Sequence, residues 1–379
     1  MANVLPLKDS PAWQKIDKAR AAYKKALIER AGEIDAVLLA LIIRHHCLLV
    51  GDPGTAKSYL ADLLCDLIAG QKYTRLLHPQ TVIDEVVGSV SFKAYKEDRF
   101  ERVPTGKLPE AQIAFLDELF NSGPQILNVL LKLLAERKWD NNGSVVNCPL
   151  ETCIAASNFW NQGPETNALF DRFLIRKPVR SIQSDRGLHQ LLTASDEELK
   201  PQGVEVITHG ELASLNSAAQ NMPVDEDAVE ALIQILKELR KEGVVPGDRR
   251  RRQAMLAIKG QAVLEGDDAV TLDHFEVLTH CLWVDPKDQP DFVAEVVGRV
   301  ANPAGLRIGA IVLGAEEALS NCNINVSGEV METCKQLEQS RKKLRKIGSE
   351  KANTLAQWVK DECVRLQTHY LETDGKVNI

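Results

Sequence analysis

No Cys-x-x-Cys pair occurs in this sequence, whose 8 cysteines are scattered at Cys47, Cys65, Cys148, Cys153, Cys281, Cys322, Cys334 and Cys363. That spacing excludes a zinc-ligand framework and a secreted disulfide scaffold, and leaves the reduced thiols of a cytosolic protein. Cys148 and Cys153 lie near each other, but thiols in apolar strands are usually small buried hydrophobes, and His45-His46 beside Cys47 reads the same way. Long apolar runs are also missing. The longest, Ala36–Ile43, is bounded by Asp35 and Arg44, far short of the roughly 20 residues of a membrane span. The opening MANVLPLKDSPAW lacks the basic start and apolar core of a secretion signal, so a cytoplasmic location is expected. Nor is there an excess of positive charge. The formal net charge of -7 argues against a surface built to neutralise nucleic-acid phosphates, which makes nucleic acid an unexpected partner.

With 379 residues, 44% of them hydrophobic and 26% charged, the chain can bury a real core and is expected to form two or three domains. Helical spacing over Ala12–Arg30 is followed by a short apolar strand, His46–Val50, then by glycines and the helical pattern of Tyr59–Ala69. Further strands are expected at Ile113–Leu116, Thr152–Ala156 and Phe173–Ile175. Strands alternating with helices imply a parallel sheet covered on both faces. Ser91–Val103 alternates around a Glu97-Asp98 turn, and Trp139–Cys153 carries Asn142-Gly143, so both read as projecting hairpins. Beyond Pro178 only helical patterns remain: Leu188–Leu192, Glu211–Gln220, Asp225–Lys241, Arg249–Leu264, Leu272–Leu282 and a charge-rich stretch, Glu329–Leu371. Asp225 and Thr271 stand as helix starts, with Gly243 and Gly266 as stops. The expected division is an α/β core over 1–182, a helical domain over 183–285 and a helical C-terminal region over 286–379.

Between the first strand and its helix stand Gly51, Asp52, Pro53, Gly54, Thr55, Ala56, Lys57 and Ser58, with Tyr59 next. Such a loop can wrap backbone N–H groups round a phosphate, with Lys57 reaching the outer phosphate oxygens and Ser58 ligating Mg²⁺. Ala56 stands where the general pattern has glycine, which is tolerable only if the backbone there keeps ordinary helix-start angles. Sixty positions after Lys57 (117 − 57), the strand Ile113–Leu116 ends in Asp117 and Glu118. Asp117 is placed to hold the metal and Glu118 to polarise an attacking water. The strand Thr152–Ala156 leads to Asn158, a neutral amide suited to hold that water or the γ-phosphate. Arg172 is the candidate finger, a guanidinium that stabilises charge developing on the transferred phosphoryl group, with Arg176 the second choice, and a local salt bridge is the alternative for either. Four arginines, Arg249–Arg252, open a helix where the dipole repels cations. An anionic partner would relieve that repulsion, and Arg249 is the candidate.

These motifs together resemble the MoxR family of AAA+ ATPases, close to its RavA group. The resemblance rests on GDPGTAKS, TVIDEVVGSV (Thr81–Val90), GKLPEAQIAFLDELFN (Gly106–Asn121), LLKLLAERKW (Leu130–Trp139), AASN, LFDRFLIR and GDRRRRQA, and covers about Arg44–Trp283. It implies an α/β AAA+ fold, with a five-stranded parallel sheet sandwiched by helices, an all-helical lid domain and a helical C-terminal extension. It also implies ATP and Mg²⁺ as cofactors, a hexameric homo-oligomer with ATP at subunit interfaces, and chaperone-like work on a client protein beside a von Willebrand factor A-domain partner. Asn158 resembles a sensor 1 residue, Arg249 a sensor 2 arginine, and the two hairpins the helix 2 and pre-sensor 1 insertions. RavA-type chains carry a β-rich C-terminal insertion, for which Pro286–Ile379 leaves no room. The leading expectation is therefore an ATPase that remodels or activates a partner. A DNA-associated motor and a nucleotide-switched scaffold with little turnover are the alternatives.

Overall fold

A computed structural model describes residues 6–158, 163–195, 197–301, 303–320, 322, 326–347 and 350–374. The chain forms two compact units, Met1–Val297 and Gly298–Ile379. In the first, strands β1 (His46–Val50), β2 (Lys72–Leu76), β3 (Ile113–Asp117), β6 (Thr152–Ser157) and β7 (Phe173–Pro178) make a five-stranded sheet in the order β2-β3-β6-β1-β7, while β4 (Lys138–Asn141) and β5 (Ser144–Asn147) pair as a separate hairpin. Every ladder of the larger sheet is parallel. Parallel strands need crossovers, and helices supply them: α1 (Pro11–Ala26) and α2 (Ala31–Ile42) before β1, α3 (Lys57–Asp66) after it, then α4 (Ile83–Val87), α5 (Phe92–Tyr95), α6 (Pro124–Glu136) and α7 (Pro164–Phe170).

The sheet interior is Val/Ile/Leu/Ala-rich and almost wholly buried in β1, β3, β6 and the first half of β7, as expected of strands covered on both faces. Two elements escape the sequence pattern. Edge strand β2, with Lys72, Thr74 and Arg75 turned toward solvent and only Tyr73 buried, carries no apolar run. Helix α2 is buried nearly all round, from Ile34 through Ile43 apart from Asp35, so it shows no one-sided periodicity. It separates α1, which stops at Ala26, from β1.

The hairpin expected at 139–153 is present, with Asn142 and Gly143 both at positive φ (52° and 78°) in the turn, as a type I′ turn requires. The other is half right. Its base pairs antiparallel, Ser91 N–H donating to Glu101 O (2.7 Å) and Val103 N–H to Ser89 O (2.9 Å). Its tip is the helical turn α5, because the Ser91 hydroxyl accepts from Ala94 N–H at 3.2 Å and caps it. Gly88 closes this loop: at φ +98° a Cβ there would meet Val103 O at 1.9 Å. The Asn141 side chain then joins the two insertions, accepting from Arg102 N–H (2.8 Å) and donating to Arg102 O (3.0 Å).

Helices α8 (Asp185–Thr193), α9 (His209–Asn221), α10 (Glu226–Lys241) and α11 (Asp248–Glu265) follow, then the 3₁₀ segment Leu272–His280, where a regular helix was expected. Asp225 caps α10 through Ala228 N–H (2.8 Å), and Gly243 and Gly266 end α10 and α11 at positive φ. These elements make the all-helical part of the first unit. Helices α12 (Gln289–Ala301), α13 (Pro303–Ser320), α14 (Ser327–Ile347) and α15 (Glu350–Asp374) complete the chain. The second unit has its own small core, with Leu337 and Leu344 of α14 against Ala352, Ala356 and Val359 of α15.

Candidate active site

Strands β3, β6 and β1 are neighbours and parallel, so their C-terminal ends open on one edge of the sheet. The loop after β1, the acids ending β3 and the asparagine after β6 therefore meet. Loop and strand are tied by Gly51 N–H to Ser157 O (3.1 Å). Gly51 has no substitute, since a Cβ there would meet Val179 O at 2.1 Å. The buried Lys57 ammonium donates to Gly51 O and Asp52 O, 2.7 Å each, and to Thr55 Oγ1 at 3.3 Å. Burial pulls its pKa down, against the opposing charges of Asp117, Glu118 and Asp52.

Ser58 Oγ donates to Asp117 Oδ2 at 2.6 Å. Two hard oxygen donors thus converge at one point, the donor set that an Mg²⁺ ion partly ligated by phosphate and water requires. Glu118 N–H donates to Asp117 Oδ1 (2.9 Å), and the Asn158 amide donates to Glu118 Oε1. Desolvation first, then the Asp117 charge, raises the Glu118 pKa, while Lys57 opposes the shift. A cavity of about 240 Å³ brings Pro53, Gly54, Thr55, Ala56, Lys57, Ser58, Tyr59, Asp117, Glu118 and Asn158 together. A second, of about 340 Å³, lies against Gly51 and Asp52 and is walled by Val50, Pro178, Val179, Arg180, Ser181, Gln183 and Pro286.

The expected helix-start angles at Ala56 are not found. Ala56 is left-handed, at φ 62° and ψ 23°, and Glu118 likewise, at φ 52° and ψ 42°. A Cβ in that region costs about 1–2 kcal/mol, and such strain collects at functional sites. Ala56→Gly should therefore stabilise the fold by roughly 0.5–1 kcal/mol net of glycine's own chain entropy. Urea unfolding checks this, and an unchanged or lower midpoint would contradict it.

The arginines divide differently from expectation. β7 runs beside β1 with Phe173 opposite His46 and Pro178 opposite Val50, so Arg172 lies at the sheet edge opposite its own phosphate loop. A strand of this length puts about 15 Å between the two edges. Arg172 is a quarter exposed, 3.8 Å from Asp171, and its buried Nε has no hydrogen-bond partner among the described residues. Arg249, expected beside the phosphates, does not line that cavity either. Burial and the Arg172 charge lower its pKa, so the two cations share one edge. The cause is Arg250, only 2% exposed, which donates to Asp171 Oδ1 (3.1 Å), Asp171 O (2.8 Å), Cys281 O (3.0 Å) and Phe173 O (3.2 Å) and fixes the start of α11 there. Arg250→Ala should destabilise by about 3 kcal/mol or more, because several buried carbonyls lose their donor. Equilibrium denaturation measures it, and a loss below about 1 kcal/mol would refute this role.

Arg176, the second candidate for the finger, is excluded by burial. It donates to Phe173 O, Phe170 O and Trp283 O, and its guanidinium carbon sits 3.8 Å from the Phe170 ring centroid. Two residues at the site had no sequence signal, coming from what read as the tail of the first helix. Arg30 donates to Thr55 O at 3.2 Å behind the loop, and Glu29 accepts from Gln183 and Ser184 N–H (2.8 and 3.1 Å) at the start of α8. Elsewhere, Glu265, Asp267 and His274 cluster within ligand distance of one another. Thr271 N–H donates to His274 Nδ1 at 2.9 Å, which puts the neutral ring's proton on Nε2, 3.0 Å from Asp267. That nitrogen is a donor rather than a metal ligand. The expected burial of Cys148, Cys153 and His46 is observed.

Residues 14–217 match the family model described as the MoxR domain in the MoxR-vWA-beta-propeller ternary systems, and residues 227–297 match an AAA lid domain. An uncharacterised protein of Methanocaldococcus jannaschii is 34% identical over 294 residues, 77% of this chain and 76% of its own. Chaperone MoxR1 of Mycobacterium tuberculosis is 22% identical over 233 residues, 60% of each chain. The crystal structure of a Cytophaga hutchinsonii protein assigned as an ATPase superposes with a TM-score of 0.60 at 16% identity, covering 77% of this chain and 95% of that one, and so shares the fold.

Proposed function

Because the chain belongs to the MoxR family of AAA+ ATPases, we propose that it hydrolyses ATP in a cytoplasmic ring, most simply a hexamer, and uses the cycle to remodel or activate a client protein. The observation that carries this reading is the Ser58–Asp117 contact at 2.6 Å, with Glu118 held beside it by Asn158. Ser58 and Asp117 would hold Mg²⁺, which supplies charge neutralisation on the phosphate oxygens. The Lys57 ammonium, released from Gly51 O and Asp52 O, binds the outer phosphates, and the N-terminus of α3 adds its dipole. Glu118 takes the proton of the attacking water while Asn158 orients it. The cavity between Asp52 and Pro178 fits the base. Lys57→Ala should weaken nucleotide binding at least tenfold, and chelating divalent cations should stop turnover. A fluorescent-nucleotide titration and a phosphate-release assay test both, and a protein that neither binds nor cleaves ATP would end this reading.

Arg172 and Arg249 stand on the edge away from their own phosphate loop, which supports their acting on a neighbouring subunit's nucleotide. The same position supports Arg249, as sensor 2, acting in trans together with the finger. The RavA-group placement rests on motif resemblance alone, whereas the matched family description names vWA and β-propeller systems. A von Willebrand factor A-domain protein is accordingly the favoured partner. The two insertions expose Phe92 (72%), Tyr95, Phe100 and Val145, and these are assigned to client contact. If Phe92→Ser with Tyr95→Ser left client activation intact, that assignment would be wrong.

A further inference from the structure

Five of the cysteines, Cys47, Cys65, Cys148, Cys153 and Cys281, are buried, whereas Cys322, Cys334 and Cys363 are half-exposed. Two of the half-exposed three face each other on paired helices, Cys334 on α14 and Cys363 on α15, and the Cys334 thiol is one of the groups that raise the Cys363 pKa. Helix register explains the meeting. Cys334 stands as far before the end of α14 at Ile347 as Cys363 stands after the start of α15 at Glu350 (347 − 334 = 363 − 350 = 13). They also continue the buried seam that runs from Leu344 and Ala352 to Leu337 and Val359, where Cys363 packs at the edge of the core. A pair so placed is held by two rigid helices rather than by chance loop encounters.

We propose that Cys334 and Cys363 are an oxidisable pair, a modification site at which hydrogen peroxide installs a reversible disulfide that staples α14 to α15. Peroxide converts one thiol to a sulfenic acid with loss of water. The other thiol attacks that sulfur and displaces a second water, so that two thiols and one H₂O₂ give one disulfide and two H₂O. Desolvation and the neighbouring thiol push the Cys363 pKa up to about 11, so the Cys363 thiol stays protonated and is a poor first target for peroxide. In a reducing compartment such a bond is transient and reports oxidant, which is the usual role of cytosolic disulfides. The bond closes a loop that links α14 to α15, so oxidation restricts the open chain and holds the two helices together. This inference does not depend on the ATPase reading.

The test uses the full chain, reduced, then treated with hydrogen peroxide and mapped by mass spectrometry without reduction. The expected product is a linked peptide joining Cys334 to Cys363 with two hydrogens lost, reversed by dithiothreitol and absent in Cys334→Ser and in Cys363→Ser. Cys322→Ser should retain it, and circular dichroism of all three variants should match the parent. Amide exchange in α14 and α15 should slow by roughly tenfold on oxidation. A link formed through Cys322, a link only between chains, or separate over-oxidation of the two thiols with no link would overturn the proposal.

Discussion

Replacing Glu118 by glutamine is expected to leave ATP bound and uncleaved, with kcat down by about 10²–10⁴, the range for a positioned general base. The affinity should hold because glutamine keeps the size of the side chain and can still pair with Asn158, and because the metal donors Ser58 and Asp117 are untouched. A fall in kcat and kcat/KM together, with nucleotide affinity unchanged, is the signature of an interaction made only in the transition state. Turnover within tenfold of the parent would remove Glu118 from the mechanism. The raised Glu118 pKa adds a pH test. Catalysis needs the carboxylate, so the rate should fall on acidification through that pKa, with its acid limb above the usual glutamate range near about 4.3. Linkage has the matching sign: the folded state holds this proton more tightly than the unfolded chain does. Ionisation therefore costs stability above the raised pKa, and glutamine should relieve that cost at neutral pH.

Arg172→Ala is expected to lower turnover by about 10³-fold, at the lower end of what trans-acting arginines supply, while nucleotide stays bound. The geometry makes this a test of shared sites. Arg172 and the Lys57 loop occupy opposite edges of the sheet, so a finger at Arg172 could reach a nucleotide only across a subunit boundary. Mixing Arg172→Ala with Glu118→Gln subunits should then restore hydrolysis at the interfaces where an intact Glu118 faces an intact Arg172. Activity that never exceeds the sum of the two separate preparations would refute sharing.

That these candidate residues would meet was legible because they stand in short motifs at strand ends. Lys57, Ser58, Asp117, Glu118 and Asn158 each follow a buried apolar strand, and parallel pairing carries all three strand ends to one edge. What escaped depended on tertiary context. β2 is an edge strand with polar residues facing out, and α2 is so fully buried that it loses any amphipathic signature. The angle at Ala56 was misjudged because the surrounding loop, not the residue, fixes it. The edge on which Arg249 stands was not legible, because a run of four arginines does not say which one turns inward. Arg250 does, bound to Asp171, and that single anchor sets where the others point.

The Asn141 clamp carries a mechanical consequence. Between Glu118 and Asn141 the chain is nearly continuous structure, a 3₁₀ turn, α6 of 13 residues and then β4, a strut of about 20 Å in its helix alone. Its far end grips the backbone of the neighbouring loop on both N–H and C=O. A displacement at Glu118 would therefore reach both apolar tips as one stroke of a single blade, and cutting the amide, as in Asn141→Ala, should leave ATP turnover running while the two tips fall out of step.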